Sequence, residues 1–374
     1  MLTRLPLKTY NSRLFTLNYE YLDDLRAELD SFVSKNSHLN NRLFSKKIMF
    51  THELKANNTI EGINDDLVDI EKAIRDAKQI RDVEKRNRII NLYRGYKYIL
   101  EGKDINEETF AKLYKILSKD LLDSYSLNHM GPRYRKERVL ILNHGRMDDS
   151  YDEGLPFDHI QEFMDCYFDY INNGEVFGDD TGYFIKSQIM HFYLVYIHPF
   201  FDINGRTSRT TAMWYLLNRE IYPYIIFNRG INFDSTYDDT IKDCKSRYEI
   251  TKFVKYMMVN VKKELEKEYV MHCLSKNTSR NLTSLDYQTL EYFITMTSNK
   301  SVLDFCQIYN RFNQKKKVKD IFFEMIYPLL EDGTFVVDRE TKKDMFSGTK
   351  NMVLSLNKDR LKDLDKSQIT RISL

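Results

Sequence analysis

Between Gly182 and Ile197 the chain reads GYFIKSQIMHFYLVYI, with Ile185, Ile189, Phe192 and Tyr196 recurring at spacings of three and four. That is the period of one helical face. The residues beside that stripe are also mostly apolar, so a helix here has little face to offer water and must be surrounded by other elements. His198-Pro199 stops it, because a proline disfavours helical backbone in the residue before it. Helical character resumes over Thr207–Asn218, with Met213, Leu216 and Leu217 on one side. A buried helix, a short loop and a second helix therefore form the expected centre of the fold.

The rest of the N-terminal part fits such a wrapping. Leu22, Leu25, Leu29 and Phe32 share a helical face, as do Leu67, Ile70 and Ile74. Asn106 before Glu107-Glu108 is a helix start, with Phe110, Leu113 and Leu117 inward. Six prolines and 13 glycines in 374 residues leave room for long helices and little for low-complexity linkers. Gly131-Pro132 breaks the pattern, and Arg138–Leu142 followed by Asn143-His-Gly145 reads as a strand and turn, the start of a small hairpin. Pro156 precedes another helix, with Ile160, Phe163 and Tyr167 on one face.

Past residue 275 the order changes. Thr283–Met296 reads as a helix, and Ser301 caps a second carrying Val302, Phe305, Ile308 and Phe312. A third carries Val318, Ile321, Phe322 and Met325, with Pro328 inside its last turn. Two strands follow, Phe335–Val337 and Met352–Leu356. Three helices and a hairpin is the order of a winged helix-turn-helix. The fold class expected is mainly α, divided as a helical region over 1–125, a core over 126–265 and a winged-helix-like domain over 275–374.

Charge excludes little. With 57 basic and 55 acidic residues the formal charge is +2, so a nucleic-acid partner needs a local patch. Residues 275–374 hold 17 basic and 13 acidic side chains, with Lys315, Lys316, Lys317 and Lys319 together. Duplex DNA and a protein partner are equally good occupants of such a domain. Cys166, Cys244, Cys273 and Cys306 are scattered without zinc spacing, as in a reducing compartment. No apolar run reaches a membrane-spanning length, so a cytoplasmic protein without a membrane partner is expected. Walker A, GxGxxG and HExxH patterns are absent.

The loop HPFFDINGRTSR, His198 to Arg209, concentrates the chemistry. The second helix begins near Asn204, and backbone N–H groups at a helix N-terminus attract anions. Arg206 and Arg209, three apart, can both reach phosphate oxygens. Asp202 is a hard oxygen ligand suited to Mg²⁺, which is usually held by one or two carboxylates plus phosphate. His198 is a candidate general base beside a transferring phosphorus. Ile203 stands among residues that phosphate loops usually fill with glycine. A β-branched residue avoids positive φ, so Ile203 is expected at negative φ with its side chain packed away from the phosphates.

This loop resembles the signature of the Fic (Fido) family, His-Pro-Phe-x-Asp/Glu-Gly-Asn-Gly-Arg-x-x-Arg. His198, Pro199, Phe200, Asp202, Asn204, Gly205, Arg206 and Arg209 match, and Ile203 departs from the family's Gly. The likeness runs over roughly residues 40–262. Gly131-Pro-Arg-Tyr-Arg135 and Val139, Leu140 and Ile141 are similar to the family's Arg-containing turn and flap strand. His191 matches a His common there, and Asn228-Arg229 and Tyr237 resemble the segment that closes over the nucleotide base.

The resemblance implies a helical Fic core with a β-hairpin flap and transfer of AMP from ATP-Mg to a Ser, Thr or Tyr hydroxyl of a target protein. It implies His198 as the base, Asp202 as the Mg²⁺ ligand, Asn204, Gly205 and Arg206 in the anion hole and Arg209 on the γ-phosphate. The flap would take the target as an added strand. Relatives often dimerise. Gly205, where phosphate-transferring Doc relatives carry Lys, favours AMP transfer. Asn57–Gly62 (NNTIEG) is similar to the family's inhibitory motif, with Glu61 and Gly62 matching and Asn57 in place of Ser or Thr. That implies Glu61 pairs with Arg209 and restrains the enzyme. The competing reading is a transcriptional regulator whose Fic domain only senses nucleotide, with Ile203 weakening transfer. Enzymes of the family that use another donor or remove AMP form a third option.

Overall fold

The computed structural model describes residues 2–35, 46–142, 151–174, 178–231, 235–277, 289–290, 301–312, 315–331, 333, 335–337 and 353–356. Residues up to Lys35 and from Phe44 to Lys262 form one compact unit, and the chain from Lys263 belongs to a second.

The first unit opens with an antiparallel hairpin, β1 (Leu2–Lys8) and β2 (Leu14–Asn18). The helical region expected over 1–125 thus begins with a strand pair that the sequence reading does not include. Leu5, Leu7, Phe15 and Leu17 are buried, the alternation of a one-faced strand pair. Pro6 hides that alternation in the sequence. The pairing register shifts between Arg4 and Lys8, where proline has no N–H to give. Phe15 packs edge-on to Phe192 and Tyr196, with ring centroids 5.4 and 5.0 Å away.

Helices α1 (Asp23–Lys35), α2 (Lys46–Thr59), α3 (Leu67–Arg75), α4 (Val83–Ile99), α5 (Glu107–Ser118) and the short α6 (Ser124–His129) follow. Asn106 caps α5 in a capping box with Thr109, and Phe110, Leu113 and Leu117 are buried as expected. A two-stranded hairpin comes next, β3 (Leu140–Leu142) paired with β4 (Tyr151–Glu153). The expected turn at Asn143–Gly145 lies outside the described residues. Helix α7 (Ile160–Asn173) buries Ile160, Phe163 and Tyr167.

Helix α8 (Asp180–Ile197) is buried along almost all of its length, including Lys186, Gln188 and His191. Helix α9 (Asn204–Leu217) packs against it and is buried from Arg206 to Leu217. A 3-10 segment (Tyr222–Gly230), α10 (Ser235–Arg247) and α11 (Thr251–Asn277) complete the run, with α11 continuing into the second unit. Among the described residues no helix is long and apolar enough to cross a membrane.

In the second unit, α12 (Val302–Phe312) starts at Ser301, whose Oγ accepts from the Asp304 N–H at 3.1 Å while the Asp304 carboxylate accepts from the Ser301 N–H at 2.8 Å. The next helix runs Val318–Ile321, widens to a π turn over Phe322–Ile326 and resumes over Tyr327–Glu331. The wide turn precedes Pro328, which lacks an N–H and would clash with a tight α-turn. Strands β5 (Phe335–Val337) and β6 (Leu354–Leu356) pair antiparallel. The expected helix over Thr283–Met296 lies outside the described residues except at 289–290.

Candidate functional site

The site is the turn between α8 and α9. His198 ends α8 in left-handed backbone (φ 51°, ψ 61°), its N–H still bonded to the Leu194 carbonyl at 3.0 Å. Asn204 then braces the loop. Its Oδ1 accepts from the Phe200 N–H at 3.0 Å and its Nδ2 donates to the Phe200 carbonyl at 2.9 Å. The Asn204 side chain is therefore committed to loop shape. What this residue can offer an anion is its backbone N–H, in the first turn that an α-helix leaves unpaired.

Ile203 overturns the expectation for its backbone: φ is 65° and ψ 16°, left-handed. A left-handed non-glycine residue costs roughly 1–2 kcal/mol. The loop offsets this locally. The Ile203 N–H donates to Asp202 Oδ1 at 2.5 Å, and its carbonyl accepts from Thr207 N–H at 2.9 Å and Thr207 Oγ at 2.6 Å. Its side chain is 1% exposed, a burial that contributes roughly 1.5–3 kcal/mol. Packing and hydrogen bonds together outweigh the backbone penalty, so the loop keeps the conformation a glycine would adopt.

The charged groups divide by exposure. The Asp202 carboxylate is 59% exposed, 3.9 Å from Arg206 Nη2. Arg206 is buried, and its Nε has no hydrogen-bond partner among the described residues. A buried donor without a partner at a helix N-terminus fits an anionic ligand. No group of three or more His, Cys, Asp or Glu among the described residues could hold a metal. A single exposed carboxylate beside a phosphate site instead fits a Mg²⁺ that arrives with phosphate.

Arg209 is 1% exposed and fully engaged. Its Nη2 bonds Glu61 Oε1 and, at 3.2 Å, the Asn57 carbonyl, and its Nε donates to Asn57 Oδ1 at 2.7 Å. Burial opposes the Arg209 charge, but Glu61 and Tyr237 more than compensate, and its pKa is raised. Asn57, which stands where the resembled motif has Ser or Thr, receives the arginine on its amide oxygen. Gly62 ends the segment in left-handed backbone at φ 75°. Gly205 makes the contact possible, since a Cβ there would collide with Glu61 Oε1 and lie 3.0 Å from Arg209 Nη1.

Beneath Arg209 sits Tyr237, buried, with its hydroxyl 2.8 Å from His191 Nε2. Burial, with Arg209 second, holds the His191 pKa well below its usual value, so the ring is neutral. His191 Nδ1 lies 3.3 Å from Gln188 Oε1, an acceptor, so Nδ1 carries the hydrogen. Nε2 then accepts from Tyr237, whose oxygen accepts from Arg209. Tyr237 thus supports the arginine and has no free ring face for a base. Arg229 likewise faces inward, 2.9 Å from the buried Glu53 of α2, and Asn228 is fully buried. The sequence likeness that put these three over the base carries no signal of this burial.

His198 itself has its pKa pushed down to about 3, mainly by burial, then by Lys245 and Arg135. A neutral imidazole is what a general base needs at physiological pH. Lys245, which the sequence did not single out, also lines a cavity of about 600 Å³ with Glu153, Gly154, Pro156, Tyr196 and Tyr248, between the hairpin and α10. In the hairpin, Leu140 is 61% exposed and Ile141 half-buried. Val139 precedes the strand and accepts from the Gly154 N–H at 3.0 Å. Among the described residues the β3–β4 sheet has two strands, and an edge strand is a template for an added one.

Residues 104–216 match the sequence model of the Fic/DOC family. The chain is 27% identical over 220 residues to the protein adenylyltransferase Fic of Aedes aegypti, a match covering 56% of this chain and 40% of that protein. It is 29% identical over 213 residues to the protein of the same name from Drosophila willistoni, covering 55% and 39%. The chain thus spans about two fifths of the length of these relatives. Its fold is similar to the crystal structure of a Fic family protein from Desulfovibrio desulfuricans G20, with a TM-score of 0.55 and 18% identity over 90% of this chain and 95% of that one.

Proposed function

We propose that this chain, whose residues 104–216 match the Fic/DOC family model, is a protein adenylyltransferase restrained by Glu61. The observation that carries the reading is one loop that joins a neutral His198 to the unpaired first turn of α9. The insect relatives are named for this activity.

In this reading His198 takes the proton of a Ser, Thr or Tyr hydroxyl as its oxygen attacks the α-phosphorus of ATP. A new O–P bond forms, the bond from the α-phosphorus to the bridging oxygen breaks, and pyrophosphate leaves. Backbone N–H groups of Asn204, Gly205 and Arg206, with the Arg206 guanidinium, hold the phosphates. Asp202 would hold Mg²⁺, whose chemistry is to neutralise charge on the phosphates. The open edge of β3 takes the target as an extended strand. Arg209 meets the γ-phosphate once Glu61 leaves it, and while the carboxylate stays, it occupies the arginine and repels the anion.

Labelled ATP-Mg incubated with cell lysate and wild type, His198→Ala or Glu61→Gly tests this. Transfer that requires His198 and rises in Glu61→Gly is expected. Tight nucleotide binding without transfer in wild type and in Glu61→Gly would replace the enzyme by a nucleotide-sensing regulator. The part from residue 275 is carried as a winged helix whose exposed Lys315, Lys317 and Lys319 face duplex DNA or a protein, while Lys316 is paired with Glu324. A salt-dependent gel shift with random duplex favours DNA; no shift at low salt favours protein. Sedimentation of the full chain decides whether it forms a homodimer.

A further inference from the structure

Arg135 is buried at 2% exposure. All three of its guanidinium nitrogens are used, each on a backbone carbonyl. Nε donates to His198 at 2.9 Å, Nη1 to Glu137 at 2.6 Å and Nη2 to Leu155. Its own N–H donates to the Pro199 carbonyl at 3.0 Å. Glu137 and Leu155 flank the β3–β4 hairpin on its two sides. One planar fork therefore gathers both ends of the flap and the carbonyl of the residue that ends α8 in left-handed backbone. A planar fork is the geometry that only arginine supplies.

We propose that Arg135 is a positioning residue that sets the register of the flap against His198, so that a hydroxyl on a strand added to β3 meets the imidazole. This rests on the transferase reading above. Burial strips water from the cation and pushes its pKa down to about 10. Three carbonyl oxygens are thus the compensation the site provides. Lysine cannot replace it, because one ammonium on a flexible stem cannot satisfy three carbonyls in a fixed plane. Gly154 reports the same crowding: a Cβ there would lie 3.0 Å from Arg135 Nη2 and 2.6 Å from Val139 Cγ1.

The test uses the full chain carrying Glu61→Gly, with and without Arg135→Gln, Arg135→Lys or Gly154→Ala. Three quantities are read: hydrogen exchange of the Leu140–Leu142 amides, affinity for a non-hydrolysable ATP analogue, and the rate of labelling of lysate proteins by α-labelled ATP. Loss of bonds to a charged group predicts flap exchange faster on the order of tenfold in Arg135→Gln. Labelling should fall on the order of a hundredfold while nucleotide affinity stays within about twofold, because the α9 N-terminus is untouched. Arg135→Lys should restore neither fully. A purely structural role would lower nucleotide affinity and labelling together. Unchanged flap exchange in folded Arg135→Gln would overturn the proposal. If that variant does not fold, Gly154→Ala decides, since faster flap exchange supports the proposal and unchanged exchange overturns it. If the Glu61→Gly parent labels nothing, the transferase reading fails, while exchange and nucleotide affinity still report on Arg135.

Discussion

Removal of the Glu61 carboxylate is the perturbation with the clearest expected magnitude. In the structure it contacts an arginine that is 1% exposed, and the Glu61 side chain itself is 21% exposed. Breaking a fully buried pair by deleting one partner costs about 3–5 kcal/mol. Here Arg209 keeps Asn57 and Tyr237, and Glu61 is partly wet. A loss of about 1–2 kcal/mol of folding stability is therefore expected in Glu61→Gly, the scale of one hydrogen bond to a charged group. In a unit of this size that lowers the melting temperature by roughly 2–8 °C. Activity should move the other way. A γ-phosphate must displace the carboxylate from Arg209, and a bias of about 2 kcal/mol is a factor of about 30. Glu61→Gly should therefore transfer AMP about 10–100 times faster. The assay compares α-labelled with γ-labelled ATP. Label from the α-position should stay on protein, and label from the γ-position should not. A folded Glu61→Gly protein with unchanged or slower α-label transfer would rule out restraint by Glu61, and γ-label on protein would replace AMP transfer by phosphate transfer.

Further expectations concern the same loop. With the His198 pKa pushed down to about 3 and that of His191 also depressed, the acid limb of the transfer rate should show no step near the usual histidine value, and a fall in rate with an apparent pKa of about 6.5 would contradict this. The same shifts give stability a sign: both imidazoles stay neutral in the folded chain and charge in the unfolded one below about 6.5. Their contribution is complete above that pH and is lost as the pH falls from there towards about 3, which acid titration of the melting temperature checks. Ile203→Gly removes backbone strain worth roughly 1–2 kcal/mol and packing worth roughly 1.5–3 kcal/mol, so it should lower stability by about 1 kcal/mol. A more stable Ile203→Gly in urea unfolding would show that strain outweighs packing. Tyr237→Phe deletes the hydroxyl between His191 and Arg209, with an expected loss of about 1–2 kcal/mol and weaker affinity for a non-hydrolysable ATP analogue in a Glu61→Gly background. Unchanged affinity there would remove Tyr237 from the support of Arg209.

The periodicities that were legible are those where one residue type answers to one local need. Asn106 caps because its side chain reaches the N–H three residues on, and Ile185, Ile189 and Phe192 are buried because a helix repeats its face. The N-terminal hairpin was hidden by Pro6, a residue that argues against a strand until the irregular pairing around it is seen. Ile203 departs from its expected backbone because intrinsic preference does not include the Asp202, Thr207 and packing contacts that oppose it. The family likeness at Arg229 and Tyr237 implies a ligand surface, yet burial turns them towards Glu53 and Arg209.

The order of elements around His198, and the residue types that Asp202, Gly205, Arg206 and Arg209 place in that loop, were determined by the sequence alone. A motif is a local string, and helix ends, turns and charge types are local properties. Tertiary structure decided which groups those side chains meet. Arg209 is bound by Asn57 and Glu61, about 150 residues earlier in the chain, and Arg135 reaches the His198 carbonyl across 63 residues. Such partnerships depend on packing of the whole core, where burial makes each polar atom find whichever partner the fold brings near.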